Sequence, residues 1–452
     1  MLRRKVYERL QKWKETSGHK ALLIEGARQI GKTYLIREFG KKSYKYFIEI
    51  NFITTPKAVQ IFSGNLDVDT IITNISAFTM KEIVVGETLI FFDEIQECPE
   101  ARTAIKFLVE DGRFDYVESG SLLGVQYKQV PSYPVGYEEH CRMYPLDFEE
   151  FLWANGVSEE IIDGLRQKFE MEEPVSESVH STMKELFQYY IVTGGMPAVV
   201  QNFVDSHDIA KVVQIQKDIL ELYRQDISKY AIEDKMRIKD IFDRIPAELS
   251  EKNRRFKLSD ISKQARMNRY ENSFMWLKDA GVANPCYNVT EPKLPLKLNE
   301  KRNLFKLFLA DTGLLLAQSM GQLQFEILQG NLEVNMGSIL ENMIAQQLQS
   351  NGFELYYFDK KGVAEIDFLV QQNQNVLPIE VKSGNNYHAH PALQRVLQVQ
   401  DWNIKKAYVF APGNVEKMEN ITYIPWYMVM FLKKKEMEKP MIVQVDLSGL
   451  GM

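Results

Sequence analysis

The 452 residues, 45% hydrophobic and 26% charged, suffice for about three domains of ordinary size, each with a real core. A net charge of −6 argues against a uniformly basic nucleic-acid binder, and no apolar run approaches the ~20 residues that cross a bilayer, so no membrane partner is expected. Three widely spaced cysteines, Cys98, Cys141 and Cys286, make neither a disulfide framework nor a cysteine zinc site, which points to a reducing, cytoplasmic setting.

The opening residues are basic without the apolar core of a secretory signal and read as the start of an amphipathic helix. The apolar run Ala21-Leu22-Leu23-Ile24 then leads into Gly26-Ala27-Arg28-Gln29-Ile30-Gly31-Lys32-Thr33, followed by a helical stretch over 33–39. A buried strand, a G-x-x-x-x-G-K-T loop and a helix form the context that a phosphate-binding loop (P-loop) requires. The glycines let successive N–H groups curl inward, and the helix aims its positive dipole end at the same point. Lys32 can reach the β- and γ-phosphates of a nucleotide, and the Thr33 hydroxyl can hold Mg²⁺.

A second strand spans 44–52, and the run Thr88-Leu89-Ile90-Phe91-Phe92 ends in Asp93-Glu94. A buried parallel strand delivers such acids to the carboxyl edge of the sheet, where Asp93 would orient Mg²⁺ and Glu94 would polarise the attacking water. A third strand, 114–118, ends in Ser119-Gly120-Ser121. These hydroxyls, Ser121 in particular, could sense a γ-phosphate, although a plain turn has the same sequence.

The P-loop, the Phe-Phe-Asp-Glu-Ile-Gln strand end, the Ser-Gly-Ser turn, the segment Tyr144-Pro145-Leu146-Asp147-Phe148-Glu149-Glu150-Phe151 and the later Thr193-Gly194-Gly195-Met196-Pro197 together resemble a prokaryotic family of AAA-type ATPases that carry a C-terminal domain of unknown function. The resemblance covers nearly the whole chain. It implies ATP with Mg²⁺, a five-stranded parallel sheet, a helical lid ending near the Gly-Gly-x-Pro, and Pro197 beside the adenine. The chain departs from the family at the arginine finger, because no arginine lies between Ser119 and Cys141. Slow hydrolysis, or a finger from elsewhere, is therefore expected. Arg224 is a weak candidate within the chain, a surface salt bridge being the better explanation, and a homo-oligomer would let a neighbouring copy supply one.

Residues 151–232 read as the helical lid. From Lys235 to Lys306 there are 17 Lys+Arg against 9 Asp+Glu, a local +8 that leaves −14 for the rest of the chain. Three short helices, over 236–249, from 257 and over 270–280, precede two strand-like runs, 282–289 and 304–309. This order describes a winged-helix module. Its basic residues Arg254, Arg255, Arg266 and Arg269 would contact a DNA backbone; packing or protein docking is the alternative.

Farther on, a helix over 338–348 carries Glu341, a strand over 364–370 carries Asp367, and a strand over 376–381 carries Glu380 with Lys382 two residues later. Helix, three strands, helix and strand, with these residues, resemble the PD-(D/E)xK nuclease fold. The strand period puts Glu380 and Lys382 on one face. The resemblance assigns Asp367 and Glu380 to Mg²⁺, Lys382 to the attacking water and Glu341 to completing the site.

The expected architecture is thus α/β: a P-loop parallel-sheet domain (1–150), a helical lid (151–232), a winged-helix module (233–320), a restriction-endonuclease-like α/β domain (325–435) and a tail (436–452). The expected function is a slow ATPase that couples nucleotide state to a DNA-handling, nuclease-like C-terminal domain, with metal-dependent endonuclease activity as a further option. The alternative is an ATP-gated protein-interaction switch whose nuclease fold is inactive.

Overall fold

The computed structural model describes residues 2–16, 18, 20–64, 66–121, 133–230, 234–251, 256, 267–319, 323–328 and 336–435. Five strands, β1 (Ala21–Gly26), β2 (Tyr46–Asn51), β3 (Thr88–Asp93), β4 (Asp115–Ser121) and β5 (Glu138–Arg142), form a sheet in the order β2-β3-β4-β1-β5. Every pairing within it is parallel. Strands β1 and β3 are buried along their whole length, as a parallel sheet covered on both faces requires. Because β4 separates β1 from β3, its carboxyl end lies between the loop that leaves β1 and the acids that end β3. This is where open parallel sheets hold ligands.

The N-terminal helix forms as expected, over Lys5–Glu15. The region expected to be a lid holds five helices: Phe148–Ala154, Glu159–Met171, Glu177–Thr193, Pro197–Ser206 and Ile209–Tyr230. Asp147 caps the first of them in a reciprocal capping box with Glu150. Pro197 starts the fourth, where its missing N–H costs nothing.

Strands β6 (Ala283–Val289), β7 (Glu300–Leu309), β8 (Tyr356–Lys360), β9 (Ala364–Gln372), β10 (Asn375–Val381), β11 (Ala407–Ala411), β12 (Glu416–Met418) and β13 (Ile421–Pro425) form an eight-stranded sheet in the order β12-β13-β11-β10-β9-β8-β6-β7. The helix Met336–Ser350, then β8, β9 and β10, the helix Pro391–Gln398 and β11 follow the chain order expected of the C-terminal region. The β6–β7 hairpin, expected as the wing of a separate module, instead edges this sheet. Strand β6 pairs in parallel with β8 through Tyr287 and Tyr356, so its backbone donors and acceptors are used by the sheet. Helices Lys235–Ser250 and Met267–Asp279 stand where two of the three basic-region helices were expected; the helix expected from 257 lies outside the described residues.

One hydrophobic core runs through these regions. It joins Leu22 and Phe91 of the first sheet, Phe148 and Tyr190 of the lid, Phe242 of the basic region, and Leu340 and Met343 of the helix Met336–Ser350. Each large apolar side chain buried there contributes roughly 1.5–3 kcal/mol, so the lid is held as part of the core.

Candidate nucleotide site

The P-loop shape follows from its backbone. Gly26 has φ 157° and Gly31 has φ 87°, and a Cβ on Gly26 would sit 2.4 Å from the Met143 carbonyl oxygen. Gln29 also turns left-handed, at φ 65°. Ile30 is fully buried and anchors the loop to the core, so its side chain serves packing. The helix Lys32–Ser43 begins directly behind.

The Lys32 ammonium folds back on the loop, donating to the carbonyls of Gly26 (3.0 Å) and Ala27 (2.8 Å). Burial lowers its pKa to about 8, against the opposing pull of Glu94 and Asp93. Asp93 accepts from the Thr33 hydroxyl (3.0 Å), from the Asn51 amide (2.7 Å) and from the Ser119 hydroxyl. Asn51 stands opposite Asp93 in the parallel register of β2 and β3. Neither Asn51 nor its role was anticipated, although its place at a strand's carboxyl end was a signal. The hydroxyl that reaches Asp93 is that of Ser119. The β3–β4 register sets Phe92 beside Glu118 and so brings the next residue level with Asp93, whereas the Ser121 side chain lies outside the described residues. Glu94 takes a left-handed backbone (φ 57°) and accepts from the Gln96 amide at 2.6 Å.

This donor set fits Mg²⁺ in the manner of P-loop sites, with one hydroxyl and one carboxylate from the protein and the other ligands from phosphate and water. Thr33 and Asp93 would hold the ion, whose charge draws electron density from the phosphate oxygens.

Beside the loop lies a cavity of about 360 Å³ walled by Ile30, Gly31, Tyr34, Met143 and Pro197. Pro197 approaches Gly31 closely enough that a Cβ there would lie 3.7 Å from its ring. Arg4, also on the wall and also unanticipated, is 5% exposed. It donates to the carbonyls of Ile30 (3.1 Å) and Tyr144 (2.6 Å) and pairs with Glu150 (3.1 Å). The acids of the Asp147–Glu150 segment thus fasten the N-terminus over the cavity, helped by Lys5, which bridges Asp147 and Glu149.

On the lid side, the Arg28 guanidinium donates to Asp226 at 2.7 Å, and the Tyr223 hydroxyl donates to the Arg28 carbonyl at 3.2 Å. Arg224 pairs with Asp243 (2.9 Å) and Glu221 (3.7 Å), the surface salt bridge that was one of its two expected readings. At the other end of the lid, Gly194 and Gly195 allow close approach: a Cβ on Gly195 would sit 2.0 Å from the Leu146 oxygen, and one on Gly194 2.2 Å from Asp311. Asp311 is buried, accepts from the Gly195 N–H at 2.6 Å, and has its pKa pushed up to about 6 by burial despite its backbone hydrogen bonds. Next to it, the Gln346 side-chain oxygen accepts from the Thr312 N–H (2.8 Å), while its amide donates to the Tyr190 hydroxyl (3.0 Å). Gln347 also donates to that hydroxyl, which in turn donates to the Leu146 carbonyl at 2.6 Å.

In the C-terminal region Asp367 and Glu380 lie on paired neighbouring strands, with Lys382 beside Glu380. Asp367 accepts from the Val381 N–H at 2.8 Å, and Glu380 pairs with Lys382 at 2.8 Å. Glu341, 1% exposed, faces Lys306, a fully buried lysine of β7, at 3.5 Å. The same ammonium lies 5.1 Å from the Tyr357 ring centroid. The Glu380 carboxyl is raised to about 7 by burial and by Asp367, against Lys382 and Lys306. Among the described residues, no group of three or more His, Cys, Asp and Glu side chains is arranged to hold a metal ion. Lys306, which was not in the expected set, adds a second lysine to the cluster of Glu341, Asp367, Glu380 and Lys382. Of the DNA-contact residues, Arg254, Arg255 and Arg266 lie outside the described residues, as does the side chain of Arg269. No described helix is long and apolar enough to cross a membrane.

Loop, acids and parallel sheet together define a P-loop nucleotide-binding domain. Residues 18–152 match the AAA domain family, which supports an AAA-type P-loop ATPase. Residues 184–324 and 336–429 match two domains of unknown function, DUF8612 and DUF4143. No functionally curated protein matches the chain. Among solved structures, the Walker-type ATPase PABY2304 of Pyrococcus abyssi matches at 15% identity and TM-score 0.41, over 71% of this chain and 96% of its own. Aeropyrum pernix ORC1, solved in complex with DNA, matches at 11% and 0.26, over 72% of this chain and 91% of its own. The Thermotoga maritima RuvB Holliday junction branch migration motor matches at 13% and 0.30, over 62% of this chain and 87% of its own. Likeness at these TM-scores carries no argument about this chain.

Proposed function

We propose that the chain is a nucleotide-controlled switch: a slow ATPase whose lid passes nucleotide state to the C-terminal region, which binds a partner rather than cutting DNA. The observation that carries this reading is the gathering of Thr33, Asn51 and Ser119 on Asp93 beside the P-loop. The adenine would enter the cavity against Pro197, with the phosphates wrapped by residues 26–33. Lys32 would exchange its two loop carbonyls for β- and γ-phosphate oxygens. In hydrolysis a water oxygen bonds to the γ-phosphorus as the bond to the β-phosphate oxygen breaks, and Glu94 takes the water's proton.

The polar junction of Gly195, Asp311, Gln346 and Tyr190 supports the coupling, because it joins the cavity's lid to the helix that carries Glu341. ATP titration and a phosphate-release assay on the full chain test the engine. Binding in the micromolar range with turnover well below the typical ~10 s⁻¹ is expected, and absence of binding contradicts it.

A second reading, metal-dependent DNA cleavage, is favoured by the order of the C-terminal elements and by the +8 charge of residues 235–306. It requires Mg²⁺- or Mn²⁺-dependent cleavage that disappears in Asp367→Ala. The switch reading predicts none on single-stranded, duplex or branched DNA.

A further inference from the structure

We propose that Arg28 is the γ-phosphate sensor of this site: its guanidinium is held by Asp226 of the lid helix when no triphosphate is bound and is transferred to the γ-phosphate by ATP. The proposal rests on the reading of residues 26–33 as a nucleotide site and says how that site reports its occupant.

Three observations carry it. First, Arg28 belongs to the loop that would wrap the phosphates, yet its guanidinium is committed to another element. It makes a 2.7 Å contact with the Asp226 carboxylate, while Tyr223, one turn earlier on the same helix, donates to its carbonyl. The Tyr223 contact fixes the backbone of residue 28, so the proposed exchange is a rotation of the side chain about its own torsions.

Second, the pair sits at the phosphate end of the site. Arg28 is close enough to Lys32 to push its pKa down, and Asp226 is close enough to Glu94 for the two carboxylates to repel. The guanidinium is one-third exposed and the Asp226 carboxylate 14% exposed. A partly solvated pair of this kind is weak, whereas a phosphate offers the planar guanidinium a second hydrogen bond and more negative charge.

Third, other arginines near the first sheet or on the lid helix are engaged elsewhere. Arg224 is held by Asp243, and Arg142 donates toward the Lys278 carbonyl. The cation lacking from the segment between Ser119 and Cys141 is thus supplied from within the P-loop.

The exchange has a mechanical consequence. The helix Ile209–Tyr230 carries Asp226 near one end, and in its middle Gln216, whose amide donates to the carbonyls of Val192 (2.8 Å) and Thr193 (3.0 Å). Those carbonyls precede the Gly194-Gly195 turn that meets Asp311. Releasing Asp226 from Arg28 removes one of the helix's two ties to the P-loop, leaving the Tyr223 contact and the junction end in place, so the presence of a γ-phosphate changes how the helix is anchored. ADP leaves the Arg28–Asp226 pair intact.

The test is titration of the full-length wild type, Arg28→Ala, Arg28→Lys and Asp226→Asn with Mg·ADP and with a Mg-bound non-hydrolysable ATP analogue, alongside a hydrolysis assay. Arg28→Ala should bind ADP as the wild type does, lose about tenfold in affinity for the ATP analogue, and lose about 10³-fold in turnover. Arg28→Lys, which keeps the charge without the fork, should recover part of both losses. Asp226→Asn should bind the ATP analogue more tightly with ADP affinity unchanged. In hydrogen exchange the ATP analogue, but not ADP, should raise exchange near residue 226 of the wild type. An unchanged ATP-to-ADP affinity ratio in Arg28→Ala, or equal losses for both nucleotides, overturns the sensor while leaving the nucleotide site standing. A wild-type chain that binds neither nucleotide overturns the site and the sensor together.

Discussion

Asp93 and Glu380 stand on comparable ground: each lies at the end of a buried strand, each is nearly inaccessible, and each has a lysine within reach. They differ in what balances their charge. Asp93 is surrounded by neutral donors, the hydroxyls of Thr33 and Ser119 and the amide of Asn51, while Lys32 is parked on backbone carbonyls. That centre has negative charge to offer an incoming cation and a lysine to offer incoming phosphates. In the C-terminal cluster Lys382 sits on Glu380 and Lys306 on Glu341, and Glu380 holds its proton up to about 7. There the chain itself sets lysines against two of the acids. Similar residue types thus stand in different electrostatic surroundings, and the neighbours decide how much of their charge the chain itself balances.

The largest effect that would break the contrast is at Lys32. Lys32→Ala should weaken Mg·ATP binding by at least about 10²-fold, since two phosphate contacts to a charged donor are lost; isothermal titration showing near wild-type affinity would remove the phosphate role of the loop. The C-terminal half is probed by Lys306→Met, which leaves Glu341 buried without its cation and should cost about 3–5 kcal/mol in urea unfolding. Adding Glu341→Gln should restore much of that loss, and a single variant as stable as the wild type would contradict the pairing of Lys306 with Glu341. At the junction between the halves, Gly195→Ala forces a methyl group against the Leu146 carbonyl and should cost about 1–3 kcal/mol, read as a lowered melting temperature.

The smallest effect is a pH dependence. In the free protein Lys32 loses its proton near pH 8, and bound phosphates favour the charged form, so binding takes up a proton above that pH. Affinity for ATP should be flat below about 8 and then fall toward tenfold per pH unit. Calorimetry in buffers of different ionisation enthalpy at pH 9 measures the uptake directly, and a profile flat to pH 10 would remove the role given to burial.

Much of the nucleotide site was legible because it is local. Gly26 to Thr33 and Asp93-Glu94 are contiguous stretches whose spacing reports backbone shape. Asn51 and Ser119 depend on strand register, which sequence does not print: the pairing brings both level with Asp93. Arg4 acts across more than a hundred residues, on the Tyr144 carbonyl and Glu150. The C-terminal element order was readable from period and turns. Lys306 was not recognisable as part of the cluster, because it comes from a hairpin expected in another domain. The eight-stranded sheet, which places β7 beside β6 and β6 beside β8, creates the contact with Glu341.

The central claim is that occupancy of the P-loop is felt in the C-terminal region through the Gly195–Asp311 junction. Hydrogen exchange on the full chain, with and without Mg·ATP, in the wild type and in Lys32→Ala, measures this most directly. ATP should change exchange at residues 190–197, 309–314 and 342–347 in the wild type and leave the variant unaltered. Changes confined to residues 26–35, with the junction and the helix Met336–Ser350 untouched, would contradict it.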